Sequence, residues 1–527
     1  MAYRRHICKH IRDLDNDSLL QIFNFYRLED KDKWYLRLSW RKLTHICRRW
    51  RYLIFDSSSH LDIYLLLTNG FPSISELSQL PPLPLVIDYS DRPTTFASVD
   101  EENVRLGLKL NGRVHRVALC ASSSSLRMWL ELMNKPFPRL RDLSLLSTTP
   151  EEISLVLPET LQVPFLLCLS LHGISLPRLS LLSSMISLST LSLTHIRESC
   201  YFPPSHLVAQ LQGLFLEELS IGFAIPIPLP SSEGELLPAP IIHVTLPTLR
   251  RLTFRGVGIY LDNLIAQINT PLLERLSFTL FFVSFTLFFE LTFTLVNLTK
   301  FIRRTKGIGC LVTQIIFNKH GASIDTGYHE QQGIRKSSLQ VSINCESLEW
   351  QIDSATQVCS ALRMVLSDVE ELTLDLGADV MPLYWDNALG LDSVLWLELL
   401  LPFTGVKKLH IGRSLIFELS QALESIAGGL ALDFLPGLQC LEVQPWMDDA
   451  KNVFSTFVKI RESMGRPVHL LFPRYLYPIT TWQRSRVDSV DWPYTPYRNQ
   501  AIDLISICRA FIQAQEQTLR SYNELKR

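Results

Sequence analysis

The sequence predicts an α/β protein with an N-terminal helical unit, a long array of stacked strand-bearing repeats and a C-terminal helix. Three observations carry that prediction. A short beat, apolar-x-x-apolar-x-apolar, recurs through most of the 527 residues. Two runs before residue 60 place apolar residues three and four apart, the spacing of one helix face. A third such run, through Ile502, Ile505, Cys508, Phe511, Ile512, Leu519 and Tyr522, lies near the end.

The beat appears as Val114/Val117/Leu119, Leu140/Leu143/Leu145, Leu166/Leu169/Leu171, Leu188/Leu191/Leu193 and Leu216/Leu219/Ile221. It continues as Leu249/Leu252/Phe254, Leu273/Leu276/Phe278, Val312/Ile315/Phe317, Val369/Leu372/Leu374, Val406/Leu409/Ile411 and Leu438/Leu441/Val443. A weaker copy, Leu339/Val341/Ile343, falls between the Phe317 and Val369 beats. Pro138, Pro164, Pro247, Pro271 and Pro436 introduce several of them. The last two apolar residues of each beat, two apart, share one side of a strand. A lone strand cannot bury that side, so successive copies must stack into a continuous core. Each fully buried leucine contributes about 1.5–3 kcal/mol. The pattern is that of an irregular leucine-rich-repeat solenoid. Where such repeats usually carry asparagine after the beat, this chain has Ser147, His172 and Thr194, so irregular turns are expected.

The array occupies 112–475, after a helical unit at 1–60 and a connector at 61–111 in which Pro81–Ile87 enters a first strand. Residues 223–247 form a proline-rich insertion, and 318–337 and 378–392 are expected as loops. Ser277–Val283 is copied at once as Ser284–Glu290. From Leu276 to Leu298 the only charge is Glu290, so length permits a membrane span. The alternation of phenylalanine with threonine favours strand instead, and a tandem strand inside the array is expected. Seven is odd, so the second copy presents opposite faces unless a bulge intervenes. After a last strand near Pro467–Phe472, residues 476–527 are expected to hold an aromatic loop, with Tyr477, Trp482 and Trp492, and a helix. That helix caps the open end of the array or serves recognition.

Within the first sixty residues, Asn16 or Asp17 can cap a helix. Leu19, Ile22, Phe23 and Tyr26 fall on one face of it, and Leu20 and Phe25 lie off that stripe. A second helix is expected through Leu36, Trp40, Leu43, Cys47 and Trp50. Two helices this apolar cannot cover all their faces against each other, and leftover apolar area points to a partner or to capping of the next domain. Leu14-x-x-x-x-Leu19-Leu20-x-Ile22-Phe23, followed by Trp40-x-x-Leu43-x-x-Ile46-Cys47-Arg48-Arg49-Trp50, resembles an F-box, especially of the fungal type, over roughly residues 12–56. The resemblance implies a unit that grips a Skp-type adaptor and links the chain to a cullin ubiquitin ligase as its substrate-recognition subunit. Leu14, Leu19, Leu20, Ile22, Phe23, Trp40, Leu43, Ile46 and Trp50 match its motif, some as adaptor contacts and some as the unit's own core. The family usually has proline after the first leucine; this chain has Asp15.

Charge and chemistry narrow the functions further. With 47% hydrophobic residues a sizeable core is available, and a net charge of −1 argues against a globally nucleic-acid-binding chain. Residues 1–51 are basic, through Arg4, Arg5, Lys9, Arg12, Arg48, Arg49 and Arg51 among others. That suits steering toward an acidic partner, as the adaptors of the family are. The ten cysteines form no C-x-x-C pair, and the N-terminus lacks the apolar run of a secretory signal. A reduced cytoplasmic or nuclear setting is therefore expected. No metalloprotease, hydrolase or phosphate-loop motif occurs. His172, His195, His243 and His410 lie at or near strand ends, and Asp375 and Asp448-Asp449 have no visible partner. The expectation is a non-enzymatic protein without cofactor or metal, binding an adaptor and an unidentified protein target. The rivals are a leucine-rich interaction scaffold uncoupled from a ligase, and a membrane-associated protein.

Overall fold

A computed structural model describes residues 14–29, 43–57, 61, 64–68, 83–91, 97–149, 155–224, 243–281, 296–305, 308–329, 335–345, 347–377, 393–425, 434–444 and 453–472. The chain divides into two compact units, Met1–Leu470 and Leu471–Arg527, and the first holds the helix pair and the array. Several repeats enter their strands through the same turn. In Phe137-Pro138-Arg139-Leu140 the Leu140 N–H donates to the Phe137 carbonyl at 3.3 Å, with proline second in the turn. Proline presets the backbone angle that this position needs. Leu166, Leu249, Leu273 and Leu438 close identical turns around Pro164, Pro247, Pro271 and Pro436.

The strands that follow are β1 (Leu65–Leu66), β2 (Leu85–Ser90), β3 (Val114–Ala121), β4 (Asp142–Ser147), β5 (Cys168–His172) and β6 (Thr190–Ile196). Next come β7 (Glu218–Phe223), β8 (Arg251–Gly256), β9 (Arg275–Phe281), β10 (Val312–Asn318), β11 (Gly321–His329) and β12 (Arg335–Asn344). The series ends with β13 (Glu371–Leu376), β14 (Lys408–Ile411), β15 (Cys440–Val443) and β16 (His469–Leu471). Together they make one 16-stranded sheet, so among the described residues the chain is a mixed α/β protein on a long, mainly parallel sheet. The beats run in register: Leu143, Leu169, Leu191, Leu219, Leu252 and Leu276 align across β4 to β9. Their side chains are buried throughout.

One side of the sheet carries the beats, and the connections pack there. They include α3 (Ala97–Lys109), α4 (Ser123–Leu132), α5 (Pro204–Leu211), α6 (Gly258–Gln267) and α7 (Val296–Arg304). Beyond these come α8 (Leu348–Ala361), α9 (Arg363–Leu366), α10 (Ser393–Leu400), α11 (Ile416–Ser425) and α12 (Ser455–Ser463). Helices close in sequence contact one another, α6 with α7 and α10 with α11, so the back layer grows with the sheet. The buried Arg461 of α12 donates to the carbonyls of Phe434 and Leu438, both at 3.3 Å, in the turn entering β15. A buried cation is tolerated because such acceptors replace its water.

The order of the sheet departs from the order of the chain at one place. After β9 comes β12, then β11, then β10, and only then β13. β10, β11 and β12 form an antiparallel meander whose outer strands pair in parallel with β13 and β9. The weak beat Leu339/Val341/Ile343 therefore sits beside Leu276, Phe278 and Leu280. Residues 318–337, expected as a loop, instead carry a turn at Lys319-His320 that joins β10 to β11, then β11 itself and the start of β12. Only Ile324 is a large apolar residue among the core-facing Ala322, Ile324 and Thr326 of β11, so the strand leaves little hydrophobic signal.

Three further expectations can be set beside the structure. The sheet begins at Leu65, so the expected connector supplies β1, β2 and α3. The first copy of the tandem segment is strand as far as Phe281; the second copy lies outside the described residues. Among the described residues no helix is long and apolar enough to cross a membrane. Residues 225–242 of the proline-rich insertion, the expected loop at 378–392, and the segment 476–527 expected to hold the aromatic loop and a helix also lie outside them.

Candidate interaction surfaces

The N-terminal helices are α1 (Asn16–Glu29) and α2 (Arg48–Asp56). The cap of α1 is neither Asn16 nor Asp17 but Asp15, whose Oδ1 accepts from the Ser18 N–H at 2.6 Å. This bonding holds its carboxyl below the ordinary 3.8. Leu43 and Trp50, expected on one helix, are separated by a break. Cys47 is extended, with φ −157°, and its Sγ accepts from the Trp50 N–H to start α2. Arg49 ties the pair together by donating to the Leu14 carbonyl at 2.6 Å and to Asn16 Oδ1 at 2.9 Å.

The motif residues divide into two groups. Leu19, Phe23 and Trp50 are buried with Ile54, and the Phe23 and Trp50 rings meet edge to face with centroids 4.8 Å apart. That geometry is favourable for aromatic pairs. Ile22 and Ile46 are 42% and 58% exposed, while Leu14, Leu20 and Leu43 are half-buried. Trp40 lies outside the described residues. The buried motif residues hold the pair together, while Ile22 and Ile46 stay at its surface.

The second surface is the side of the sheet opposite the helices. Between the last two apolar residues of each beat stands one residue that points to this open face. Across β4 to β9 these are Ser144, Ser170, Ser192, Ser220, Thr253 and Ser277 in register. On the strand-entry side of this hydroxyl row lie charges, with Arg251 paired to Glu218 and Arg250 to Glu274. Further along the array Lys408 Nζ lies 2.9 Å and His410 Nδ1 3.2 Å from the Glu442 carboxylate. Burial still keeps His410 below its ordinary value, although Glu442 pulls the other way.

On the other side of the hydroxyl row are His172, Thr194, Gly222, Arg255 and Thr279. The β6 ladder shifts between Leu193 and Ile196, and His195 has φ 57°, the left-handed region. This bulge lays the His195 ring over His172, with centroids 5.0 Å apart, and His172 Nδ1 lies 3.1 Å from Thr194 Oγ1. Burial, then His195 and Arg255, push His172 down to about 4. Burial, Arg197 and Arg255 lower His195 as well. The Arg255 guanidinium rests over the Phe281 ring, 5.1 Å from its centroid. Among the described residues Arg255 has no carboxylate partner, unlike Arg250 and Arg251. Asp375, at the far end of the array, is half-buried and raised by that burial, and its Oδ1 accepts from the Leu376 N–H. His243 is exposed and Asp448-Asp449 lie outside the described residues. Among the described residues no group of acidic, histidine or cysteine side chains is placed to hold a metal.

No family model matches the chain, and no curated protein matches it. Among solved structures it is similar to the leucine-rich repeat-containing protein LegL7 from Legionella pneumophila, with 11% identity and a TM-score of 0.24. The alignment covers 75% of this chain and 97% of that one. A score this low carries no argument about shape or function.

Proposed function

We propose that the protein is the substrate-recognition subunit of a Skp–cullin–F-box ubiquitin ligase. Its helix pair docks the adaptor, and the open face of the sheet holds a target protein. The receptor does no bond chemistry itself; it raises the effective concentration of the target beside the ligase. Such a subunit works in the cytoplasm or nucleus. The observation that supports this reading is the division of the motif, with Leu19, Phe23 and Trp50 closing a small core while Ile22 and Ile46 remain exposed. A helix pair that served only as a cap would have reason to cover those side chains.

The test is co-purification of a Skp-type adaptor with the full chain. Leu20→Glu together with Ile22→Glu is expected to cut recovery at least about tenfold, because each charge must be buried or left unpaired in the interface. The thermal transition of the array should stay where it is. Undiminished recovery of adaptor by the double variant would overturn the assignment. If the unsubstituted protein recovers no adaptor, the second reading stands, a leucine-rich scaffold uncoupled from a ligase. Asp15, in place of the family's proline, is the residue that favours this alternative.

A further inference from the structure

We propose that the open face around Arg255 receives an extended, acidic segment of the bound protein, with one aspartate or glutamate carboxylate seated on the Arg255 guanidinium. The proposal rests on the reading of this face as a target-binding surface and names the chemistry of the target there.

The charge pattern carries the inference. Arg250 and Arg251, at the entry of β8, are each neutralised by a glutamate on a neighbouring strand. Arg255, on the same strand, is exposed and stands over an aromatic ring, with no acid paired to it among the described residues. A guanidinium laid on a ring face keeps its edge N–H groups for a planar acceptor. Burial, with the nearby positive charges, favours the neutral form of both His172 and His195. With the imidazoles neutral, the unpaired guanidinium suits a single carboxylate better than a phosphoryl dianion. The backbone adds a second observation. A left-handed histidine in a bulge costs stability and persists where its surroundings impose it, commonly at functional positions. Here it turns the His195 ring against His172, at the edge of the Arg255 row. Beside that row, the short hydroxyl side chains of Ser192, Ser220 and Thr253 let a segment lie close to the sheet.

The test pans a random ten-residue peptide library on the full-length protein and on two variants. The expected result is enrichment of aspartate or glutamate at one fixed position. Arg255→Ala should abolish the enrichment and Arg255→Glu should replace it with lysine or arginine. A consensus peptide should bind Arg255→Ala about tenfold more weakly or worse, the loss expected for a charged hydrogen-bonded pair. An unchanged melting temperature of each variant assigns the loss to the surface. Enriched peptides without a preferred acid, or an acid preference indifferent to Arg255, would overturn the proposal and leave the receptor reading standing. Enrichment of no peptide at all would overturn both. A phosphoserine at the selected position that binds more than about tenfold tighter than glutamate would make the occupant a phosphopeptide and overturn the carboxylate.

Discussion

At the scale of single residues, Asp15 shows how a departure from a motif can keep its structural purpose. The F-box resemblance leads one to expect proline at this place, which suits a helix start because its backbone angle is preset and it lacks an N–H. Aspartate starts the helix by another route, accepting from the Ser18 N–H. That bond favours the charged carboxylate, so the folded pKa lies below 3.8. The cap's contribution is then complete above pH 3.8 and is lost as pH falls through the lower folded value. Hydrogen exchange of the Ser18 amide in the full chain should be slowed near pH 5 and released as the pH falls through the lowered folded value, with amides of α2 as reference. Asp15→Asn should keep protection at both pH values, because asparagine caps without a charge. Asp15→Ala should lose it at both, and equal protection in that variant would refute the role of the cap. The sequence marked this region correctly but misplaced the cap by one or two residues, because Asp15, Asn16 and Asp17 are all competent and only the backbone path selects among them. Which motif residues were core was equally hidden: Leu19 and Ile22 share a face by spacing, yet one is buried and the other exposed.

At the scale of elements, the repeated turn and the beat were legible because each depends on neighbours in sequence. Proline one place before the closing pair of a turn, and leucines two apart, dictate geometry without reference to the rest of the fold. The meander was not legible. β12 carries only a weaker copy of the beat, and nothing in its own pattern says that it will pair with β9 rather than follow β10. β11 hides its strand character behind Ala322 and Thr326. Its first residue carries the strongest constraint in the segment. A Cβ at Gly321 would run into the carbonyl of Ile343 on the paired strand. Gly321→Ala is therefore expected to force β11 and β12 apart and destabilise the array by about 2–3 kcal/mol, the upper range for overpacking. Urea unfolding followed by tryptophan fluorescence would measure it; a shift within about 0.5 kcal/mol, usual for an unconstrained surface position, would contradict the packing argument. The open face was half legible for the same reason. Its hydroxyl row is visible as the serine or threonine in the middle of each closing triplet, as in Leu191-Ser192-Leu193 or Leu252-Thr253-Phe254. Arg255 stands out only once Glu218 and Glu274 are known to take its neighbours.

At the scale of the molecule, the array is close to one-dimensional: each strand bonds the two beside it, and the back helices contact mainly their neighbours in the chain. Stability in such an arrangement is a sum of local terms and interfaces between neighbours, so damage spreads outward from where it is made. Among the described residues the meander is the one place where the sheet doubles back, and β12 is the strand that joins it to β9. Val341, at the centre of β12, is fully buried, and Leu441 is its counterpart in β15 near the end of the sheet. Aspartate at either place leaves a buried carboxylate without a partner and disrupts its own strand. Val341→Asp breaks the interior, so hydrogen exchange should rise in β8 and β9 on one side and in β10, β11 and β13 on the other. Leu441→Asp should raise exchange only in β14 to β16. Equal loss of protection across the whole sheet in both variants would show a single cooperative core and defeat this picture. The difference matters for binding, because Arg255 stands on β8, two strands from β12. Val341→Asp should therefore weaken peptide binding at the open face as strongly as Arg255→Ala does, whereas Leu441→Asp should spare it. Adaptor recovery should survive both substitutions, since α1 and α2 close their own core around Leu19, Phe23, Trp50 and Ile54 and need nothing from the damaged strands.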